Sequence, residues 1–197
     1  FAGCTSLEKI VLPETVTAIR ADAFKDCTSL KDITWSKAPE IIESRAFQNC
    51  SALTEVTIPG TAGSARGTFV DMGNPHVVAV IEDAFSSLPT VEQLDLVTKP
   101  VVAPRIESDQ NVEFVRIDEQ SEGDNEGNAT MRVNERGCGE TLSCGTGLCA
   151  TAITLHAKTG IDHWTITVRG GTLRVDVTDN DVKLTGSATI VGKIELL

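Results

Sequence analysis

Cysteines stand at positions 138, 144 and 149 in the glycine-rich segment NERGCGETLSCGTGLCATAITLHAK, Asn134 to Lys158. Thiols placed this way could hold a metal, pair as disulfides, or serve as a nucleophile or base. Their spacings of six and five match neither the Cys-x-x-Cys knuckle nor helical i,i+4 ligand pairs, which argues against zinc. From Gly145 to Lys158 the pattern predicts a helix with Leu148, Cys149, Ala152, Ile153 and His156 on one face, and Gly160 stopping it. Cys144 then sits at the helix N-terminal edge. Unpaired N–H groups and the positive end of the macrodipole favour an anion there, so its thiol pKa is expected to fall below the ordinary value. On that ground Cys144 is expected to be the most reactive of the six thiols. The same N–H groups can hold a substrate carboxylate, and Gly145 and Gly147 have no side chains to keep a ligand away. Cys149 reads as core packing, and Cys138 receives no role.

The elements that must position this thiol are mostly strands. The stretch TFVDMGNPHVVAVI predicts a strand, a break at Gly73-Asn74-Pro75 and a second strand from Val77 to Ile81. Residues 82–96 are mixed and predict a short helix. NVEFVRID and ATMRVNERG alternate as strands around an acidic loop, read as a solvated tip rather than a cation site because it lacks the EF-hand spacing. Beyond the helix, short strands meander through turns at Gly170-Gly171 and Asp179-Asn180-Asp181.

The first 60 residues differ. Phe-x-x-Cys-x-x-Leu recurs at Phe1/Cys4/Leu7, Phe24/Cys27/Leu30 and Phe47/Cys50/Leu53, each time at an interval of 23. Every Leu opens a short alternating stretch, so stacked strands with an inward cysteine ladder are expected, in an array cut short of the three or more repeats that solenoids usually need. Gly60, Gly63, Ser64 and Gly67 then predict a flexible join, with the two pieces keeping separate cores. A net charge of −11 repels phosphate backbones and anionic lipid, so neither nucleic acid nor membrane is an expected partner.

Two resemblances follow from these motifs. The AFxxCxxL form resembles leucine-rich repeats of bacterial surface proteins of the BspA type, over residues 1–60. From about Gly67 onward, DMGNPHVV, NVEFV, NERGCGETLSCGTGLCA and RGGTLRVDV…VKLTGSATIVG resemble, in order, the second half of bacterial diaminopimelate epimerases. The resemblance implies an α/β (α+β) protein: a truncated leucine-rich-repeat solenoid, residues 1–60, then one epimerase-like domain, residues 61–197, with a mixed or antiparallel sheet around a central helix. It implies interconversion of LL- and meso-diaminopimelate in lysine and cell-wall biosynthesis, without a cofactor, by two thiols on opposite faces of the α-carbon. Cys144 would be one of them, with His76 near the thiol pair. Glu135 and Arg136 would bind the distal amino and carboxylate groups, Asn74 and Asn111 would make neutral contacts, and Gly145 and Thr146 would meet the substrate at the helix start. His156 and His163 lack such context and read as structural.

The family's first domain carries its own Cys-Gly-Asn motif, and this sequence has none. The chain alone is therefore expected to be inactive or nearly so, completed by a homodimer or by a separate first epimerase domain. The resemblance implies a cytoplasmic enzyme acting on a small molecule. A non-catalytic interaction protein working through its repeats is the alternative. A proline-racemase-like isomerase is less favoured, because proline has no distal carboxylate for Glu135 and Arg136 to recognise.

Overall fold

A computed structural model describes residues 1–187, apart from 31, 36–40, 44, 51–53, 84–85, 104, 107, 122 and 179–180 and the side chains of 32–35 and 42. Leu53 of the third repeat, the Asp179-Asn180 turn and the end of the tail motif lie outside these residues. In the repeat segment, β1 (Lys9–Leu12) pairs in parallel with β3 (Asp32–Trp35), Lys9 opposite Asp32. β2 (Ala18–Ile19) pairs in the same way with β4 (Ile41–Ile42), Ala18 opposite Ile41. Both offsets equal the 23-residue spacing of the motif, because identical positions stack when each repeat is one turn of the chain. Phe1, Phe24 and Phe47 stack with centroids 5.3 Å apart in each pair. The buried Cys27 and Cys50 donate their thiol hydrogens to the carbonyls of Phe1 and Phe24, at 3.0 and 2.9 Å. Their burial fits the expected ladder; Cys4 departs from it and is exposed. Outside the ladder, Asn49 donates to Asp26 at 2.6 Å and Arg45 pairs with Asp22 at 2.9 Å, again 23 apart.

The third repeat strand leaves this arrangement. β5 (Glu55–Thr57) pairs antiparallel with both β6 (Ser64–Asp71) and β8 (Val101–Ala103), so it belongs to the sheet of the second part. The glycine-rich join is a hairpin loop closed by Thr61 N–H on the Ile58 carbonyl, not a free tether. Gly63 has φ +98°, and a Cβ there would stand 2.2 Å from the Ser87 carbonyl oxygen. The physical reason is burial: Val56 and Ile58 point into a core with Ala65, Val77, Ile81, Leu96, Val102 and Phe114, a cluster that among the described residues is separate from that of the repeats.

The large sheet continues with β7 (Pro75–Val80), β9 (Asn111–Ser121), β10 (Glu126–Glu135), β11 (Gly139–Thr141), β12 (His163–Val168), β13 (Gly171–Val177) and β14 (Val182–Thr185). Its order is β14-β13-β12-β10-β9-β7-β6-β5-β8, with β11 attached to β10. β7 with β9 and β10 with β12 are parallel pairs, which makes the sheet mixed. The break between β6 and β7 is Met72 to Asn74 and the β12–β13 turn is Arg169-Gly170, each one residue ahead of the expected Gly73-Asn74-Pro75 and Gly170-Gly171. Between residues 82 and 96, the helix among the described residues is one turn of 3-10, Val91–Gln93. Asp124 at the acidic tip is exposed and accepts a hydrogen bond from Ser121, as a solvated turn should.

The helix α1 spans Gly145–Thr159 and ends at Gly160, whose φ of +77° lets its N–H return to the His156 carbonyl. That is the left-handed stop glycine provides without steric cost. The expected apolar face is only partly right. Gly147, Leu148, Ala150, Thr151, Ala152, Thr154 and Leu155 are all buried, so the helix is covered on most of its circumference, while Cys149, Ile153 and His156 are half-buried. Small residues let the sheet close around it. Among the described residues, no helix is long and apolar enough to cross a membrane.

Candidate functional site

Strand register gathers the polar residues at one end of the sheet. β7 and β9 run parallel with His76 opposite Asn111. β10 runs back along β9 with Asn134 opposite Val112, so Glu135 and Arg136 emerge beside Asn111. The chain then turns through β11 to Cys144, the residue that precedes the first turn of α1.

Four side chains form a connected chain there. Glu113 Oε1 lies 2.6 Å from His76 Nδ1, with both residues fully buried. His76 Nε2 lies 3.0 Å from Thr146 Oγ1, which is 3.6 Å from Cys144 Sγ. With Glu113 ionised, its carboxylate accepts from Nδ1–H, leaving Nε2 to accept from the threonine hydroxyl, which in turn can accept from the thiol. Asn111 Nδ2 lies 3.4 Å from Nε2, while its Oδ1 accepts the Arg136 backbone N–H at 2.8 Å. The Arg136 guanidinium is exposed and donates to the Ser108 carbonyl. Glu135 accepts a hydrogen bond from the Thr141 hydroxyl. Asn74 sits half-buried in the β6–β7 turn two residues before His76, and Gly145 lies exposed at the helix start.

The Cys144 thiol departs from expectation. Burial pushes its pKa above the ordinary 9.0, the Thr146 hydroxyl and Gly147 N–H offset this only in part, and the charges of Glu135 and Glu113 add to the rise. The sulfur makes no regular capping hydrogen bond to the first turn. Desolvation of the thiolate therefore outweighs the helix-end field. Cys144 is buried while Cys4 and Cys138 are exposed, so those two, not Cys144, are the thiols open to an external alkylating reagent. Cys149 is half-buried and its pKa is raised by burial alone.

Glu113 escaped the reading of the sequence as a functional residue. The signal was available: a carboxylate stands within NVEFV, a strand whose first five residues are all buried. Burial raises its pKa, opposed by the hydrogen bond and charge of His76. A group with a raised folded-state pKa favours the fold fully below its unfolded value, here 4.5, and that contribution is lost as pH rises through the folded value. Glu113→Gln is accordingly expected to flatten the stability profile above pH 4.5, with the variant gaining on the parent as pH rises. Urea unfolding at a series of pH values checks this; a constant difference across the series would contradict it.

Gly147 also takes on a different meaning, because a Cβ there would lie 2.6 Å from Glu113 Oε1. Its missing side chain admits the carboxylate rather than a ligand. His156 faces the Ile161 carbonyl at 3.2 Å and Asp162 at 3.0 Å, and His163 faces Asp176 at 2.8 Å. A cleft of about 630 Å³ lies along the other half of α1, lined by Ile153, Ala157, Val78, Thr68 and Asn49. It holds none of the residues around Cys144, so the connected titratable groups, not the volume, mark the candidate site.

The family model for diaminopimelate epimerase matches residues 68–191, and the model for the BspA type leucine rich repeat region matches residues 1–69. A diaminopimelate epimerase of Phocaeicola vulgatus is 40% identical over 153 residues, covering 71% of this chain and 48% of that protein. Those of Streptomyces coelicolor and Moorella thermoacetica are 38% and 39% identical, each covering 64% of this chain and 43% of the relative. The chain thus spans about half the length of the curated relatives it matches. With the family model covering more than half of its residues, the chain belongs to the diaminopimelate epimerase family.

Proposed function

We propose that residues 61–197 carry one half of a two-thiol site that interconverts LL- and meso-diaminopimelate, a small-molecule step of lysine biosynthesis, and that residues 1–60 form a repeat unit whose last strand is inserted into the large sheet between β6 and β8. The observation that carries this reading is the hydrogen-bonded chain from Cys144 through Thr146 and His76 to Glu113, set beside Asn111 and Glu135. Cys144 exchanges the α-proton. His76, held in one tautomer by Glu113, stabilises the charge that passes through Thr146. Glu135 and Arg136 receive the distal amino and carboxylate groups, the planar guanidinium donating two parallel hydrogen bonds. Asn74, Asn111 and the N–H groups at Gly145 and Thr146 hold the reacting end.

Inversion needs a second acid on the opposite face of the carbon. Cys27 and Cys50 are committed to the repeat ladder by their bonds to carbonyls, and neither belongs to this end of the sheet. A half-site should therefore exchange without inverting. Incubated with LL-diaminopimelate in deuterated water, the chain is expected to incorporate α-deuterium slowly with no steady accumulation of the meso isomer. Steady meso formation at an enzyme-like rate would overturn the half-site, and a lack of both exchange and binding would overturn the substrate assignment.

A further inference from the structure

We propose that His76, Glu113 and Cys144 form a binding site for a thiophilic divalent cation of the Zn²⁺ class, which occupies the proton-transfer groups and blocks them. One ligand atom from each residue lies within 4.8 Å of the other two, and all three residues are buried. Tetrahedral zinc with bonds of about 2.0–2.3 Å sets its ligand atoms about 3.3–3.8 Å apart. The most widely separated ligand atoms would close by at most about 1 Å, while a metal between His76 and Glu113 would replace the hydrogen bond that now joins them.

The donor set suits that ion. Imidazole, carboxylate and thiolate together favour a borderline-soft metal over Mg²⁺ or Ca²⁺, which prefer oxygen alone. An ionised carboxylate and a thiolate carry two negative charges, which a divalent cation balances in a place where unpaired charge is costly. An independent observation points to the same centre. Glu113 Oε1 bonds His76, but among the described residues Oε2 has no hydrogen-bond partner although the side chain is fully buried. Buried polar atoms are rarely left so, and a metal would satisfy this one. Three protein ligands leave a fourth position for water or solute, and the next two residues after Cys144, Gly145 and Thr146, are exposed. Spacing within the cysteine segment gave no hint of this, since only Cys144 contributes and its partners come from two other strands.

Binding stands on this geometry alone. Inhibition rests on the proposed role of Cys144, because a thiolate bound to metal cannot accept the α-proton. The test uses the full chain with Cys4→Ser and Cys138→Ser, which removes the exposed thiols, titrated with Co²⁺ as a spectroscopic stand-in. Expected are one equivalent bound, a thiolate-to-cobalt charge-transfer band, tetrahedral d–d bands, and displacement by Zn²⁺. Cys144→Ser and His76→Gln should each abolish the charge-transfer spectrum or its tetrahedral part, and Glu113→Gln should weaken Co²⁺ binding by about tenfold or more. Absence of a thiolate band in the parent, or a band that survives Cys144→Ser, overturns the site. Exchange from diaminopimelate in deuterated water is read separately: if it is absent even without metal, the epimerase reading fails while the cobalt result stands.

Discussion

Replacing Cys144 by serine is expected to lower α-proton exchange from diaminopimelate by about 10²–10⁴-fold, the usual worth of a positioned acid or base. Serine keeps the size and the hydrogen bond to Thr146 but is a far weaker acid than a thiol, so the loss reports proton transfer rather than packing. The parent rate carries a second signature. Only the thiolate removes a proton, and burial holds the Cys144 pKa above 9.0. The thiolate fraction should therefore rise about tenfold per pH unit from pH 7 to 9 without a plateau. Deuterium incorporation followed by mass spectrometry gives both quantities. Exchange that survives Cys144→Ser, or levels off near neutral pH, would show that another group is the base.

Trp164→Ala is expected to cost about 3–5 kcal/mol of stability, a large share of the roughly 5–15 kcal/mol that holds a domain together. Trp164 is fully buried in β12, and its indole N–H donates to the Ile161 carbonyl at 3.0 Å, just past the end of α1. Its ring occupies the space over Gly127, where a Cβ would approach within 2.5 Å of the ring carbons. The side chain thus ties the end of the helix to the sheet, and removing it leaves a cavity and takes one hydrogen bond from the Ile161 carbonyl. Urea unfolding followed by circular dichroism should show a lower midpoint with an unchanged slope. A loss below about 1 kcal/mol would mean that the ring is not the wedge described.

The sequence by itself determined the features whose cause is local. Cys144 precedes the helix, and Gly160 stops it, because capping and left-handed conformations depend on a few neighbouring residues. The 23-residue period determined the register of β1 with β3 and β2 with β4, since a repeat stacks on its own copy. The order of the motifs likewise made the family legible. Tertiary structure decided what depends on distant segments. Glu113 meets His76 only because β7 and β9 lie in parallel register, and no spacing between positions 76 and 113 announces that contact. β5 reads as a third copy of the repeat strand, yet it joins the other sheet because Val56 and Ile58 find their burial there. The direction of the Cys144 pKa was decided in the same way. Helix-end position argues for a lower value, but the enclosing sheet and two nearby carboxylates strip solvent from the thiolate and add like charge, and those effects win.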